Sequence, residues 1–211
     1  MGNHIEQPPL LTNIPPSSNP DKEVAVLAIH GRNQEPEFMQ DIANQLGWQN
    51  SSMIFPRAAE RTWYPNKFMA PIELNKTQLN EALKTIKKYH NQLNQYGFRD
   101  EQIILMGFSQ GACLLSQYAL LNPRKYKAIF ILTGGYLGEE NIDWDFKGDF
   151  SQTPVLVTTS KIDEWVPHSR AQETAKAFDR LNANVNYKLF EDRPHEVSKE
   201  EINIISSCIN N

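Results

Sequence analysis

A chain of 211 residues with 40% apolar and 22% charged side chains has the make-up of a folded protein of one domain's size, which excludes a largely disordered chain. Its net charge of −4 and sequence pI near 5.8 give no basic footprint for a polyanion, and Lys84, Lys87 and Lys88 read as one solvated helix face, so no nucleic-acid partner is expected. Met1 to Glu6 lack the basic stretch and apolar block of a signal peptide, Glu6 stands where a myristoylation start requires Ser or Thr, and no apolar run approaches a bilayer span; stable membrane insertion is not expected.

Two cysteines, Cys113 and Cys208, fall in apolar stretches with helical character. That suits small buried thiols better than a disulfide framework, and with the missing signal peptide it predicts a reducing, cytoplasmic setting. Residues 1–23 carry prolines at 8, 9, 15, 16 and 20 and read as an extension that runs along the surface or adds a short edge strand, ahead of a single domain over 24–211. His4 lies in that extension.

The run Val24-Ala25-Val26-Leu27-Ala28-Ile29, stopped by His30-Gly31, predicts a strand buried on both faces of a mainly parallel sheet. Phe38, Ile42 and Leu46 recur every fourth residue after Pro36 and predict a helix ending at Gly47. Met53-Ile54-Phe55 is a short strand cut off by Pro56, and 57–71 is an irregular loop rich in aromatic residues and proline. Leu79, Leu83, Ile86 and Leu93 keep a helical period over about 75–96, with Gly97 as a left-handed stop and His90 near the polar side. Further on, the patterns predict a strand over 103–106, a helix to about 121, strands at 128–132 and 155–159, a helix around Ala171, Ala175 and Phe178, a last strand at 185–190 and a terminal helix at 197–209. Strands alternating with helices imply right-handed crossovers and an α/β architecture with a parallel sheet covered on both sides.

The most informative segment is Gly107-Phe108-Ser109-Gln110-Gly111, which sits between a predicted strand and a predicted helix. A serine on such a sharp turn has its hydroxyl lifted above the sheet, and glycines on either side let strand and helix approach. Ser109 is therefore a candidate nucleophile. A serine hydroxyl needs a base, and the base needs a third group that sets its tautomer. His195 is the one histidine that follows the last predicted strand, in the turn Glu191-Asp192-Arg193-Pro194-His195, so it can reach the sheet edge that carries Ser109. Asp163 follows the strand at 155–159, again at a carboxyl end, and Glu164 is the rival acid one residue on. The chain order Ser, Asp, His is the order used by hydrolases that carry their nucleophile on a strand-turn-helix elbow. An oxyanion site needs preset donors, which the backbone N–H groups of Gln110 and Arg32 supply in this arrangement, while His30 reads as a structural ring holding its loop. A metal site is not expected, because His195-Glu196 has no second histidine at ligand spacing, and Thr133-Gly134-Gly135 lacks the Gly-Lys-Ser/Thr of a nucleotide loop.

Taken together, Ile29-His30-Gly31-Arg32, Arg61-Thr62-Trp63-Tyr64-Pro65, the Ser109 elbow with Ala112, Asp163 ahead of Val166-Pro167, and His195-Glu196-Val197 resemble the phospholipase/carboxylesterase family, which includes acyl-protein thioesterases. The resemblance spans nearly everything from Val24 onward. It implies an α/β-hydrolase fold without a cap domain and hydrolysis of carboxylic esters or thioesters with no cofactor and no metal. It matches Ser109, Asp163 and His195 to the family's triad and Arg32 and Gln110 to its oxyanion donors. The chain departs from the family at Arg32-Asn33-Gln34, where a small or glycine-containing loop is common, and at Asp192-Arg193-Pro194, where the approach to the histidine is usually glycine-rich.

On loops predicted near the triad, Trp63, Tyr64, Phe68, Met69 and Trp165 make candidates for an apolar acyl slot; the alternative for all five is ordinary loop packing. The expected partner is a small-molecule or lipid-like ester, met by a monomer or homodimer at an open, shallow site of broad specificity. A different class of function, a hydrolase fold that has lost catalysis and only binds a ligand or protein, is separated from this one by whether a fluorophosphonate labels Ser109.

Overall fold

The computed structural model describes residues 8–14 and 23–210. Seven strands form one sheet: β1 (Leu10–Thr12), β2 (Ala25–Ile29), β3 (Ser52–Phe55), β4 (Ile103–Phe108), β5 (Ala128–Leu132), β6 (Pro154–Ser160) and β7 (Asn184–Phe190), in the spatial order β1-β3-β2-β4-β5-β6-β7. Strands β2 to β7 pair in parallel, and β1 adds an antiparallel edge, with Leu10 opposite Phe55. The N-terminal segment thus contributes an edge strand within its described part; Pro15, Pro16, Pro20 and His4 lie outside the described residues.

The helices are α1 (Pro36–Gln45), α2 (Lys76–Gln95), α3 (Gln110–Leu121), α4 (His168–Arg180) and α5 (Lys199–Asn210). Because side chains alternate along each strand, the sheet feeds two separate cores. Leu27, Ile29, Leu105, Ile129 and Val157 face the layer of α2, α3 and α4, whereas Val26, Ala28, Met106, Phe130 and Leu156 face that of α1 and α5. Burial on both faces explains why β2, β4 and β5 read as unbroken apolar runs. Helix α3 is buried along nearly its whole length, from Gln110 to Leu120, and accordingly lacks a polar face.

One expectation is overturned on α2. His90 is 1% exposed and belongs to the buried stripe with Ile86 and Leu93, where its spacing of four and three residues puts it. The boundaries otherwise move by a residue or two: the last helix starts at Lys199, not 197, and α2 ends before Gly97, which takes φ +97°.

Strand order reverses at β2. Its neighbours are β3 on one side and β4 on the other, so the loops leaving the carboxyl ends of β2 and β4 diverge and open a crevice between them. The loop after β2 carries Arg32, and the turn after β4 carries Ser109. No added domain interrupts the alternation of strands and helices among the described residues.

Candidate active site

Ser109 joins β4 directly to α3 with φ +53° and ψ −120°, a left-handed conformation that costs an L-residue energy and is retained only where the surroundings hold it. Here they do. Ser109 donates its N–H to the Leu132 carbonyl at 3.0 Å, and its own carbonyl accepts the Cys113 N–H at 2.9 Å as the first turn of α3. The flanking glycines are required by contact, not by their own dihedrals. A methyl group on Gly111 would lie 2.3 Å from the Ile29 carbonyl oxygen, and one on Gly107 would lie 2.7 Å from the Gly111 oxygen.

His195 reaches the same point from the loop after β7. Its Nε2 is 2.8 Å from Ser109 Oγ, and its Nδ1 is 2.7 Å from Asp163 Oδ2. A carboxylate only accepts, so Nδ1–H donates to Asp163, leaving the Nε2 lone pair to accept the serine O–H. The Phe108 ring packs against the imidazole with centroids 5.2 Å apart. The imidazole side chain is 24% exposed, whereas the Asp163 side chain is wholly covered.

The other carboxylate oxygen of Asp163 accepts the N–H groups of Trp165 at 2.9 Å and Val166 at 2.8 Å. Burial pushes the Asp163 carboxyl up, but the hydrogen bonds from His195, Val166 and Trp165 outweigh it, and the acid ends below the usual carboxylate range. Glu164, the rival, is exposed. Backbone donors to Oδ1 thus hold Oδ2 toward the imidazole, an orientation that local turn chemistry alone provides.

The loop after β2 is fixed from several sides. The His30 ring is buried, donates from Nδ1 to the Gly31 carbonyl at 2.8 Å and accepts the Ala58 N–H on Nε2 at 3.1 Å. It lies 5.0 Å from the Trp63 ring, whose Nε1–H donates to the His30 carbonyl at 2.8 Å. This is the structural ring expected from sequence. Burial holds its pKa below the ordinary histidine value, against the opposing effect of the Gly31 carbonyl. The Gly31 N–H is taken by Gln34 Oε1 at 2.9 Å, and the Arg32 guanidinium donates to the Tyr64 and Asn66 carbonyls at 2.7 and 3.1 Å. The Arg32 backbone is therefore anchored through its own side chain. Gln110 is the first residue of α3, so its N–H has no carbonyl four residues back within the helix.

The elbow pattern in the sequence points to the Gln110 backbone alone. The side chain does more: Oε1 accepts the Trp63 N–H at 3.0 Å, and Nε2 donates to the Tyr64 carbonyl at 2.8 Å. The residue next to the candidate nucleophile thereby fastens the loop at 57–71 to the elbow. That loop needs fastening, since Glu60 and Arg61 both take positive φ there.

Of the five side chains expected near an acyl slot, Trp63, Tyr64 and Phe68 are buried in the core layer of α2, α3 and α4, at 5%, 2% and 8% exposure. For these three, loop packing describes what the side chains do. Tyr64 sits against Cys113, whose thiol burial pushes up to about 12, with the Gly135 N–H opposing, so it is an inert thiol. Met69 is half-buried, and Trp165 is 64% exposed beside Asp163. The histidines and carboxylates of the site hold no constellation suited to a metal, nor does any other group among the described residues.

The sheet, its switch point and the elbow define an α/β-hydrolase fold with a serine, a histidine and an aspartate in contact at the carboxyl edge. Residues 12–211 match the model of the phospholipase/carboxylesterase family, and the chain belongs to that family of carboxylic ester hydrolases. Among solved structures, a phospholipase/carboxylesterase from Dyadobacter fermentans superposes with a TM-score of 0.91 at 33% identity, covering 100% of this chain and 99% of that one. Arabidopsis thaliana SOBER1 superposes with a TM-score of 0.75 at 22% identity over 89% of this chain and 98% of its own. Carboxylesterase SOBER1 is also similar in sequence, at 23% identity across 87% of this chain and 88% of that protein. Acyl-protein thioesterase 1 of Kluyveromyces lactis is 28% identical across 59% of this chain and 56% of its own length. No helix among the described residues is long and apolar enough to cross a membrane.

Proposed function

We propose that this chain is a serine carboxylesterase that works through Ser109, His195 and Asp163 and an acyl-enzyme intermediate. The observation that carries the reading is the relay of two short contacts, Asp163 to His195 at 2.7 Å and His195 to Ser109 at 2.8 Å, ending on a serine with φ +53°. In this reading His195 Nε2 takes the serine proton while Ser109 Oγ attacks the ester carbonyl carbon, and Asp163 stays ionised and stabilises the imidazolium. The negative charge formed on the carbonyl oxygen rests on the Gln110 and Arg32 amides, the first helped by the positive end of α3. Collapse expels the alcohol or thiol, which takes its proton from His195. Water, deprotonated by the same imidazole, then releases the acid and restores the serine.

The substrate class is a carboxylic ester or thioester of small-molecule or lipid-like type, with lysophospholipid as a further candidate. Since Trp63, Tyr64 and Phe68 are packed into the core, Met69 and Trp165 are the residues of the original set that remain for contact with the acyl chain. An open site with few walls favours short and medium chains without sharp discrimination. The reading also takes the enzyme as cytoplasmic and as needing no cofactor.

The test is a graded panel of nitrophenyl esters, run beside a thioester and a lysophospholipid, together with fluorophosphonate labelling. Hydrolysis and labelling that both vanish in Ser109→Ala are expected. A wild-type protein that folds but neither hydrolyses nor reacts with the fluorophosphonate would replace this reading with that of a binding module. Trp165→Ala is expected to change chain-length preference by a few-fold, as befits one hydrophobic contact; an unaltered panel removes Trp165 from the acyl site.

A further inference from the structure

The loop that presents His195 is built around a buried ion pair, Arg193 with Glu201. Arg193 is two residues before the histidine, and its side chain is 4% exposed; Glu201 on α5 is fully buried. Arg193 Nη1 donates to Glu201 Oε2 at 2.9 Å, and Nη2 donates to Thr133 Oγ1 at 2.6 Å. The same Nη1 donates to the carbonyl of Glu196, the residue immediately after His195. One guanidinium therefore holds both flanks of the histidine, the first through its own backbone and the second through a hydrogen bond. The Glu196 N–H in turn donates to the Pro194 carbonyl at 2.8 Å, closing a tight turn about residue 195.

Each anchor of this clamp is itself tied to the sheet. Glu201 Oε1 accepts the Thr158 hydroxyl of β6 at 2.6 Å, and Oε2 accepts the Ser198 N–H at 2.9 Å. Ser198 Oγ accepts the Glu201 N–H at 3.2 Å, so the acid that pairs Arg193 is also the reciprocal cap of α5. Thr133 directly follows β5 and takes φ +56°, a costly conformation for a β-branched residue, and this turn delivers its hydroxyl to the guanidinium. The Phe190 ring lies 4.9 Å from the guanidinium carbon. The clamp thus joins the carboxyl ends of β5, β6 and β7 and the start of α5 around one cation.

We propose that Arg193, with Glu201 and Thr133, is a positioning residue for His195, fixing the imidazole between Asp163 and Ser109 without touching substrate. The proposal rests on the reading of His195 as the general base. A planar fork with several donors can hold a carboxylate, a hydroxyl and a carbonyl at once, which a lysine ammonium on a flexible stem cannot do with the same rigidity.

Removing only the cation would leave Glu201 buried and unpaired and would lower stability for that reason alone, so the informative variant removes both charges. In Arg193→Met/Glu201→Gln the helix cap is kept by the glutamine, and the folded protein is expected to lose roughly 10–100-fold in kcat at a nearly unchanged KM, the size associated with small misplacements of a catalytic group. Its second-order rate of fluorophosphonate labelling should fall in parallel. A folded double variant with wild-type kcat and labelling rate overturns the proposal. If the double variant does not fold, Arg193→Lys decides, since it keeps the charge opposite Glu201 but gives up the fork: reduced kcat at wild-type KM upholds the clamp, and unchanged kcat overturns it. A wild-type protein that shows neither hydrolysis nor labelling defeats the triad reading, and the clamp with it. An active wild type with indifferent variants defeats the clamp alone.

Discussion

Among the described residues, two histidine–carboxylate–hydroxyl relays have nearly equal dimensions, and one of the two lies at a surface. In the first, His195 spans Asp163 at 2.7 Å and Ser109 at 2.8 Å. In the second, His90 spans Asp100 at 2.7 Å through Nε2 and the Tyr118 hydroxyl at 2.7 Å through Nδ1. The ring nitrogens are exchanged between the two, but the chemistry of each link is the same. What separates them is access and the state of the hydroxyl. The His195 side chain is 24% exposed, above a strained serine at the carboxyl edge of the sheet. The His90 side chain is 1% exposed, against a phenol that burial pushes up to about 12, with the Arg124 cation opposing. Hydrogen-bond geometry alone is thus a poor indicator of catalysis; a reactive relay needs room for a carbonyl carbon, donors for the developing oxyanion, and a nucleophile that substrate can reach.

The sharpest way to break the comparison is to truncate each histidine in turn. His195→Ala is expected to lower kcat for an ester by a factor on the order of 10⁴ or more while leaving Tm within a few degrees, because the group acts as one unit with Ser109. His90→Ala should do the reverse, keeping turnover per folded molecule and losing about 2–4 kcal/mol, since it opens a cavity and takes the partner from the buried Tyr118 hydroxyl. Urea denaturation alongside steady-state kinetics reads both quantities. Loss of activity in a folded His90→Ala protein would mean that the inner relay is not merely structural.

The carboxylates make the second test. Asp163→Asn preserves the shape but removes the group that sets the His195 tautomer, and a fall on the order of 10⁴ in kcat is expected. Asp100→Asn should cost about 1–3 kcal/mol of stability, because Asp100 also accepts from Asn94 at 3.0 Å and from Arg124 at 3.1 Å. Its kcat should match the wild type. Equal kinetic losses from the two substitutions would contradict the assignment of roles.

How much of this contrast could be read before the fold was known differs between the two relays. Ser109 and Asp163 follow strands that carry plain apolar runs, and His195 follows the mixed run Val185-Asn186-Tyr187-Lys188-Leu189-Phe190, so their arrival at one sheet edge is a consequence of topology, and topology follows from alternation of elements. The inner relay was hidden for a local reason. The helical period of α2 is legible on Leu79, Leu83, Ile86 and Leu93, and a polar residue at 90 reads as near the polar side although its spacing from 86 and 93 places it on the buried one. A histidine on a buried stripe needs partners from outside its helix, and those, Asp100 and Tyr118, are separated from it by 10 and 28 residues with no pattern linking them. Arg193 and Glu201 illustrate the same limit: both are charged residues that exposure statistics send to the surface, and their burial depends on a mutual pairing that only the assembled sheet creates. Trp63 and Tyr64 show the converse, since aromatic residues on a loop beside a site suggest a pocket until the loop is seen folded back into the core.

The smallest expected effect is the pH dependence of stability, and it is carried by the inner relay together with His30. Burial holds His90 below the ordinary histidine value, outweighing the opposing pull of Asp100, and burial does the same to His30. Histidine in an unfolded chain titrates near 6.5. Above that pH both residues are neutral in both states, so the stability they allow is fully present. As pH falls below about 6.5 the unfolded chain takes up protons that the folded protein refuses, and stability is lost progressively toward the folded values, at no more than about 1.4 kcal/mol per pH unit for each residue. The carboxylates add a separate, more acidic loss: Asp100, like Asp163, lies below the usual range despite burial, through hydrogen bonds from Asn94 and His90, and its contribution disappears only as pH falls from about 3.9 through that lowered value. Denaturant titrations between pH 8 and pH 5 should therefore give a flat upper region and a decline beginning near 6.5. His90→Gln, which keeps a neutral hydrogen-bonding group at the position, should show a shallower decline than the wild type, with His30 responsible for what remains. Superimposable slopes for the two proteins would show that the buried relay on α2 does not resist protonation, and burial would lose its place as the feature that sets the inner histidine apart.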